Sequence, residues 1–294
     1  MRRIWPALVL VSLLWAVCFP LITVGLSMAP PLTFAALRAL VAGVGLLTPA
    51  VVLRRPLPRS WQTWLALLSV SFTTTSLGFT GMFLAGGHVS PGLATVIANA
   101  QPLIAAVLAY FWLAERLDGC QRWGLAVGFI GILAVAAPGF NQAQASVSPS
   151  GVLYVLAGAV GVAIGNFLLK RLAGQVDLLM AMGWQFVLGS IPLWLLAVWW
   201  EAPVRLTWTP QFVLVLLALG WLGTALAYGL WFALLPHAEL TRLNTFTFLT
   251  PVFALLIGAF LFDERLQGLE MAGIGLILAG AWWVSRQPVR HSSA

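Results

Sequence analysis

Arg38 makes the largest chemical demand in this chain. It stands in the stretch TFAALRAL and is the only basic residue well inside an apolar run. A guanidinium keeps its proton in proteins, and an Arg at the centre of a membrane helix costs about 2.5–3.5 kcal/mol on insertion scales. The run places it about five residues, or ~8 Å, below the end of its helix. Two roles are open. It is an anchor for a carboxylate or other anionic group, or a structural Arg that snorkels outward or binds backbone carbonyls.

No acid lies deep in an apolar run to answer it. The eight acids, Glu115, Asp118, Asp177, Glu201, Glu239, Asp263, Glu264 and Glu270, all fall at or near the ends of runs. An exchanger of cations for protons usually carries an intramembrane Asp or Glu. The pattern therefore points away from cationic cargo and towards neutral, zwitterionic or anionic compounds. His88, His237 and His291 lie in loops or the tail, where no intramembrane metal site can form from them. There is no Gly-x-Ser-x-Gly, no His-Glu-x-x-His and no phosphate loop. Enzymatic and ATP-driven activities lose their usual signatures, and no cofactor or metal is expected.

Uncharged polar residues form helical stripes. Ser69, Thr73, Ser76 and Thr80 recur at spacings of four, three and four, which places them on one face of a helix. Thr95, Asn99 and Pro102 do the same, and Asn244, Phe248 and Pro251 stand at the corresponding places later in the chain. Ser and Thr in such stripes serve helix packing more often than ligand binding. Amides are costlier to strand in hydrocarbon, so Asn99, Asn166, Gln185 and Asn244 are candidate cavity residues. Of fifteen Trp, most sit near run ends as interfacial belts. Trp15, Phe19, Trp184, Tyr228 and Trp231 lie deeper and could wall an apolar pocket with a few polar anchors, although each taken alone suits ordinary packing. Pro20, Pro49, Pro102, Pro192 and Pro251 should kink or interrupt helices, with Pro102 and Pro251 a symmetric pair of candidate hinges.

The elements that must position these residues are membrane helices. Hydrophobic residues make up 61% of the 294, and charged ones 8%, against about 25% charged in soluble domains. Lipid is the expected solvent. The net charge of +7 is no nucleic-acid footprint, because the basic residues fall in short tufts between apolar runs. Breaks at charge tufts, prolines and glycine-rich turns give ten spans, near 7–27, 33–53, 63–84, 92–112, 121–138, 150–169, 178–199, 211–233, 241–262 and 268–285. With a cytoplasmic N-terminus, twelve of the fifteen Lys and Arg lie inside, and only Arg205 and Arg265 lie outside. The positive-inside rule then puts both termini in the cytoplasm.

The chain repeats itself. A shift of 149 residues lays 102–135 on 251–284 without a gap, matching Pro102 to Pro251, Glu115-Arg116-Leu117 to Glu264-Arg265-Leu266, and Gly119, Gly124 and Gly131 to Gly268, Gly273 and Gly280. The expected architecture is all-α and integral to the membrane, with five helices in 1–138 and five in 149–287. Five is odd, so the second half enters from the opposite side and the halves are inverted repeats. That architecture goes with alternating access around a midplane site.

LLWAVCFPLI, TFAALRAL, ANAQPLIAAVLAYFWLAERLDGCQRWGLAVGFIGILAV and FLTPVFALLIGAFLFDERLQGLEMAGIGLILAGAWWV together resemble the ten-helix EamA-like exporters of the drug/metabolite transporter superfamily. The resemblance covers nearly all of both halves. It implies export of small metabolites, often amino acids, across the cytoplasmic (inner) membrane without ATP. The partners expected are membrane lipid and a small-molecule substrate, with no nucleic acid; the oligomeric state is left open and a monomer suffices. A passive channel or a non-transporting membrane subunit is the alternative.

Overall fold

The computed structural model describes residues 4–99, 101, 103, 104, 107, 119–137, 148–172, 176–203, 205–234, 249–263 and 266–285. Helices dominate, and no strand occurs among the described residues. The first half contributes α1 (Ile4–Ala16), α2 (Cys18–Leu26), α3 (Pro31–Val52), α4 (Trp61–Val70), α5 (Gly78–Ala85), α6 (Pro91–Ala98) and α7 (Gly119–Ala136). The second contributes α8 (Pro149–Leu172), α9 (Leu178–Trp200), α10 (Pro210–Leu217), α11 (Ala227–Leu234), α12 (Leu249–Leu261) and α13 (Gly268–Ser285). Six of the continuous helical stretches are long and apolar enough to cross a bilayer, and three more are shorter and apolar. This is an all-α, multi-pass membrane protein.

Helix starts follow local rules. Pro31, Pro91 and Pro210 occupy first turns, where the missing N–H would have had no intrahelical partner. The Ser60 hydroxyl accepts from the Thr63 N–H at 3.1 Å, and the Thr209 hydroxyl from the Phe212 N–H at 3.1 Å. Asp177 accepts from the Met180 N–H at 3.0 Å. Each of these caps satisfies an N–H that lipid would leave bare.

Pro20 behaves as its chemistry requires. Its ring removes a donor to the carbonyl four residues back, and the first span breaks at Val17, dividing α1 from α2. Pro49 and Pro192, by contrast, lie inside continuous helices. Two interruptions have no proline. The third span widens into a π-helix over Ser71–Leu77 between α4 and α5, and the eighth does the same over Ala218–Leu226 between α10 and α11. The 149-residue shift carries 71–77 onto 220–226, within the second π segment. It also carries Ser60 onto Thr209, and α7 onto α13 end to end.

Packing depends on small residues, because lipid gives helices no hydrophobic reason to associate. Helices α7 and α13 cross at glycines. A methyl group at Gly131 would come 2.7 Å from the Gly273 carbonyl, and one at Gly280 would come 2.5 Å from the Gly124 carbonyl. The two contacts are exchanged by the same shift of 149, and the helices run antiparallel. Helices α3 and α9 are antiparallel as well. Glu201, just past the end of α9, accepts from the N–H groups of Leu32 and Thr33 at 2.6 and 2.8 Å and from the Thr33 hydroxyl at 2.7 Å. At the opposite end Arg55 approaches Asp177 at 3.7 Å.

Candidate functional site

Helix α3 begins at Pro31, so Arg38 lies seven residues in, about 10 Å along the axis. It is 3% exposed. It does not snorkel. Its Nε–H donates to the Thr224 hydroxyl oxygen at 3.1 Å, and Thr224 donates in turn to the Leu219 carbonyl at 2.8 Å. That second bond spans five residues, the step of the π segment that holds it. One terminal nitrogen points at the Met82 sulfur and the other at the Cys18 sulfur, both at 3.5 Å. The guanidinium carbon lies 4.6 Å from the centroid of the Phe79 ring and 5.8 Å from that of Phe83. No carboxylate pairs with it among the described residues. One hydroxyl, two soft sulfur contacts and two ring faces surround the charge.

Aromatic rings extend from this cation in both directions. Phe79 meets Phe186 at 5.9 Å, Phe186 meets Tyr228 at 5.6 Å, and Tyr228 meets Trp15 at 5.8 Å, with Trp231 a further 5.4 Å from Trp15. On the other side Phe83 meets Phe34 at 5.0 Å, and Phe34 meets Phe212 at 5.2 Å. Trp15 thus meets Tyr228 and Trp231, more than 200 residues away in the chain, and the group connects through Phe186 to the ring under Arg38.

Other candidates are placed elsewhere. Phe19 is buried in a separate cluster with Leu93, Val96 and Ile97 of α6. Asn99 spends its amide N–H on the Thr95 carbonyl at 2.8 Å, one turn back. Asn166 is exposed on α8. Trp184 packs edge-on against Trp64 at 5.3 Å, and its indole N–H is buried without a partner. Gln185 is fully buried; its amide nitrogen donates to the Thr75 hydroxyl at 3.5 Å, and its amide oxygen has no partner. The Thr74 hydroxyl, on the same π-helical turn, is also buried and unpartnered. Pro251 is buried in the first turn of α12. Pro102 and Asn244 lie outside the described residues.

Sequence reasoning did not find Cys18, Phe79, Met82 or Thr224. The Thr224 hydroxyl reads as ordinary helix packing until α3 is laid beside the second π segment. Glu201 was legible only as an acid at a helix end, not as the cap of a helix 168 residues earlier.

The profile of the EamA-like transporter family matches the chain twice, over residues 4–137 and 149–286. A probable amino-acid metabolite efflux pump of Salmonella typhimurium is 32% identical over 284 residues, covering 93% of this chain and 91% of its own length. The uncharacterized transporter YvbV of Bacillus subtilis is 29% identical over 287 residues, covering 96% and 91%. A solved crystal structure of a protein, 21% identical, superposes with a TM-score of 0.68 over 97% of this chain and 98% of its own, which shows a shared fold. With the family profile spanning nearly the whole sequence, this chain belongs to the EamA-like transporter family of the drug/metabolite transporter superfamily, and it is a transporter rather than an enzyme.

Proposed function

We propose that the protein is a secondary transporter that exports amino acids, or related zwitterionic or anionic metabolites, across the cytoplasmic membrane by alternating access. The observation that carries this reading is Arg38, buried beside Phe79 and Phe83 with no carboxylate partner among the described residues. A carboxylate on the cargo would supply the missing counter-charge, and Arg presents a planar fork suited to it. The rings of Trp15, Tyr228 and Trp231, with Phe186, provide the apolar wall that a small-molecule site needs. The antiparallel crossing of α7 and α13, and the two π segments at matched places, suit two halves rocking against each other. The Lys and Arg counts favour a cytoplasmic side for both termini. The Salmonella relative, a probable amino-acid metabolite efflux pump, supports amino-acid export.

Counterflow in proteoliposomes tests the proposal. Vesicles preloaded with unlabelled L-amino acids should take up the labelled compound faster than empty vesicles, because a loaded carrier returns more readily than an empty one. Uptake that is insensitive to the internal pool would favour a passive channel, and no uptake of any L-amino acid would overturn the cargo class.

A further inference from the structure

Arg38 and Gln185 stand at the same step of corresponding helices in the two halves, 147 residues apart where the repeat shift is 149. Each is the eighth residue of its helix, counted from Pro31 in α3 and from Leu178 in α9. Each reaches a threonine of a π-helical segment in the other half: Arg38 meets Thr224 and Gln185 meets Thr75. Thr75 and Thr224 are themselves 149 residues apart. Neighbouring contacts obey the same exchange. A methyl at Gly220 would approach Val41 and Ala42, and one at Gly189 would approach Thr75 and Ser71. A methyl at Gly223 would meet the Cys18 sulfur, and one at Gly165 would meet the Thr74 side chain. Phe79, under Arg38, is the counterpart of Tyr228, and Phe186 touches both rings.

The two residues are also offset along their helices. Thr75 and Phe79 are four residues apart on one helix, about 6 Å between side-chain roots. Along α3 and α9, Gly43 lies opposite Gly183 and Val187, and Leu47 lies opposite Gly183. Gln185 therefore sits about six residues, or ~9 Å, further along the axis than Arg38. An α-amino acid hydrogen-bonded at both ends spans a similar distance, with two bonds of about 2.9 Å and about 3 Å between its own charged groups.

Resting on the reading of Arg38 as the carboxylate site, we infer that Gln185 takes the α-ammonium end of the cargo through its amide oxygen, so that the matched positions Arg38 and Gln185 bracket a small zwitterion. The Thr75 hydroxyl accepts from the amide nitrogen and so turns the oxygen away from itself. That oxygen is buried without a partner, a costly state unless something fills it.

The test compares transport of matched pairs in proteoliposomes: alanine with lactate, leucine with 2-hydroxyisocaproate, and phenylalanine with phenyllactate. Wild type should favour the amino acid at least about fivefold, the worth of one good hydrogen bond. In Gln185→Leu and Gln185→Met the preference should fall to within about twofold. A wild type with no preference, or a preference unchanged in whichever of the two variants folds, overturns the inference. Arg38→Gln separates the two layers. If it carries both members of each pair at wild-type rates, the carboxylate reading falls and this inference with it; if it fails while the Gln185 variants keep their selectivity, only the role of Gln185 falls.

Discussion

Arg38 and Gln185 stand in matched slots of two related halves, yet one is a permanent cation and the other a neutral amide. The slot is supplied by the scaffold: an eighth helical residue, a threonine on a π-helical segment of the other half, and small residues that let the backbones approach. The head group is free to differ. Two buried guanidinium groups in one interior would repel at low dielectric, whereas one cation and one amide give the pair of slots a polarity. Sameness of frame and difference of head group make separate, checkable demands.

The frame should break most severely where the helices touch. Gly131→Val and Gly280→Val should each destabilise by about 3 kcal/mol, because each drives a branched side chain into backbone of the facing helix. The symmetric contacts predict similar losses, read as thermal or detergent-induced unfolding midpoints. Next come the threonines. Thr224→Val removes the acceptor for a buried charge and should cost about 2 kcal/mol, whereas Thr75→Val removes the partner of a neutral amide and should cost about 1 kcal/mol. Equal losses would mean that charge does not distinguish the two slots. The smallest effects are the caps. Ser60→Ala and Thr209→Ala occupy equivalent helix starts and should each cost about 1 kcal/mol, matched within error.

The helical, membrane-embedded class was legible because composition and run length leave no other solvent than lipid. The family was legible from the repeated Pro, Glu-Arg-Leu and Gly pattern. Arg38 could be picked out because a lone charge in an apolar run is conspicuous. The π segments were not legible. SFTTTSL and ALGWLGTAL carry no proline, and an α-helical period of 3.6 was assumed through them. The extra residue per turn explains why the stripe Ser69, Thr73, Ser76 and Thr80 does not persist as one face. Ser69 bonds back to Leu65 on an exposed surface, whereas Ser76 is buried and donates to the Gly189 carbonyl at 2.8 Å. Asn99 is conspicuous because its type is costly in lipid, and its bond to the Thr95 carbonyl one turn back is a local contact that the sequence does not display. The Trp15, Tyr228 and Trp231 cluster joins residues more than 200 positions apart, which no single-sequence pattern can bring together.

The central claim is that Arg38 is the counter-charge of the cargo, and a substrate that lacks the charge tests it most directly. Initial transport rates of each L-amino acid and its carboxamide should be measured with wild type and Arg38→Gln at matched protein levels. Wild type should prefer the acid by roughly tenfold to hundredfold, the worth of a hydrogen-bonded charge, and Arg38→Gln should lose that preference by slowing the acid while leaving the carboxamide nearly unchanged. An Arg38→Gln protein that folds and still prefers the acid to the wild-type extent would contradict the account and return Arg38 to a structural role.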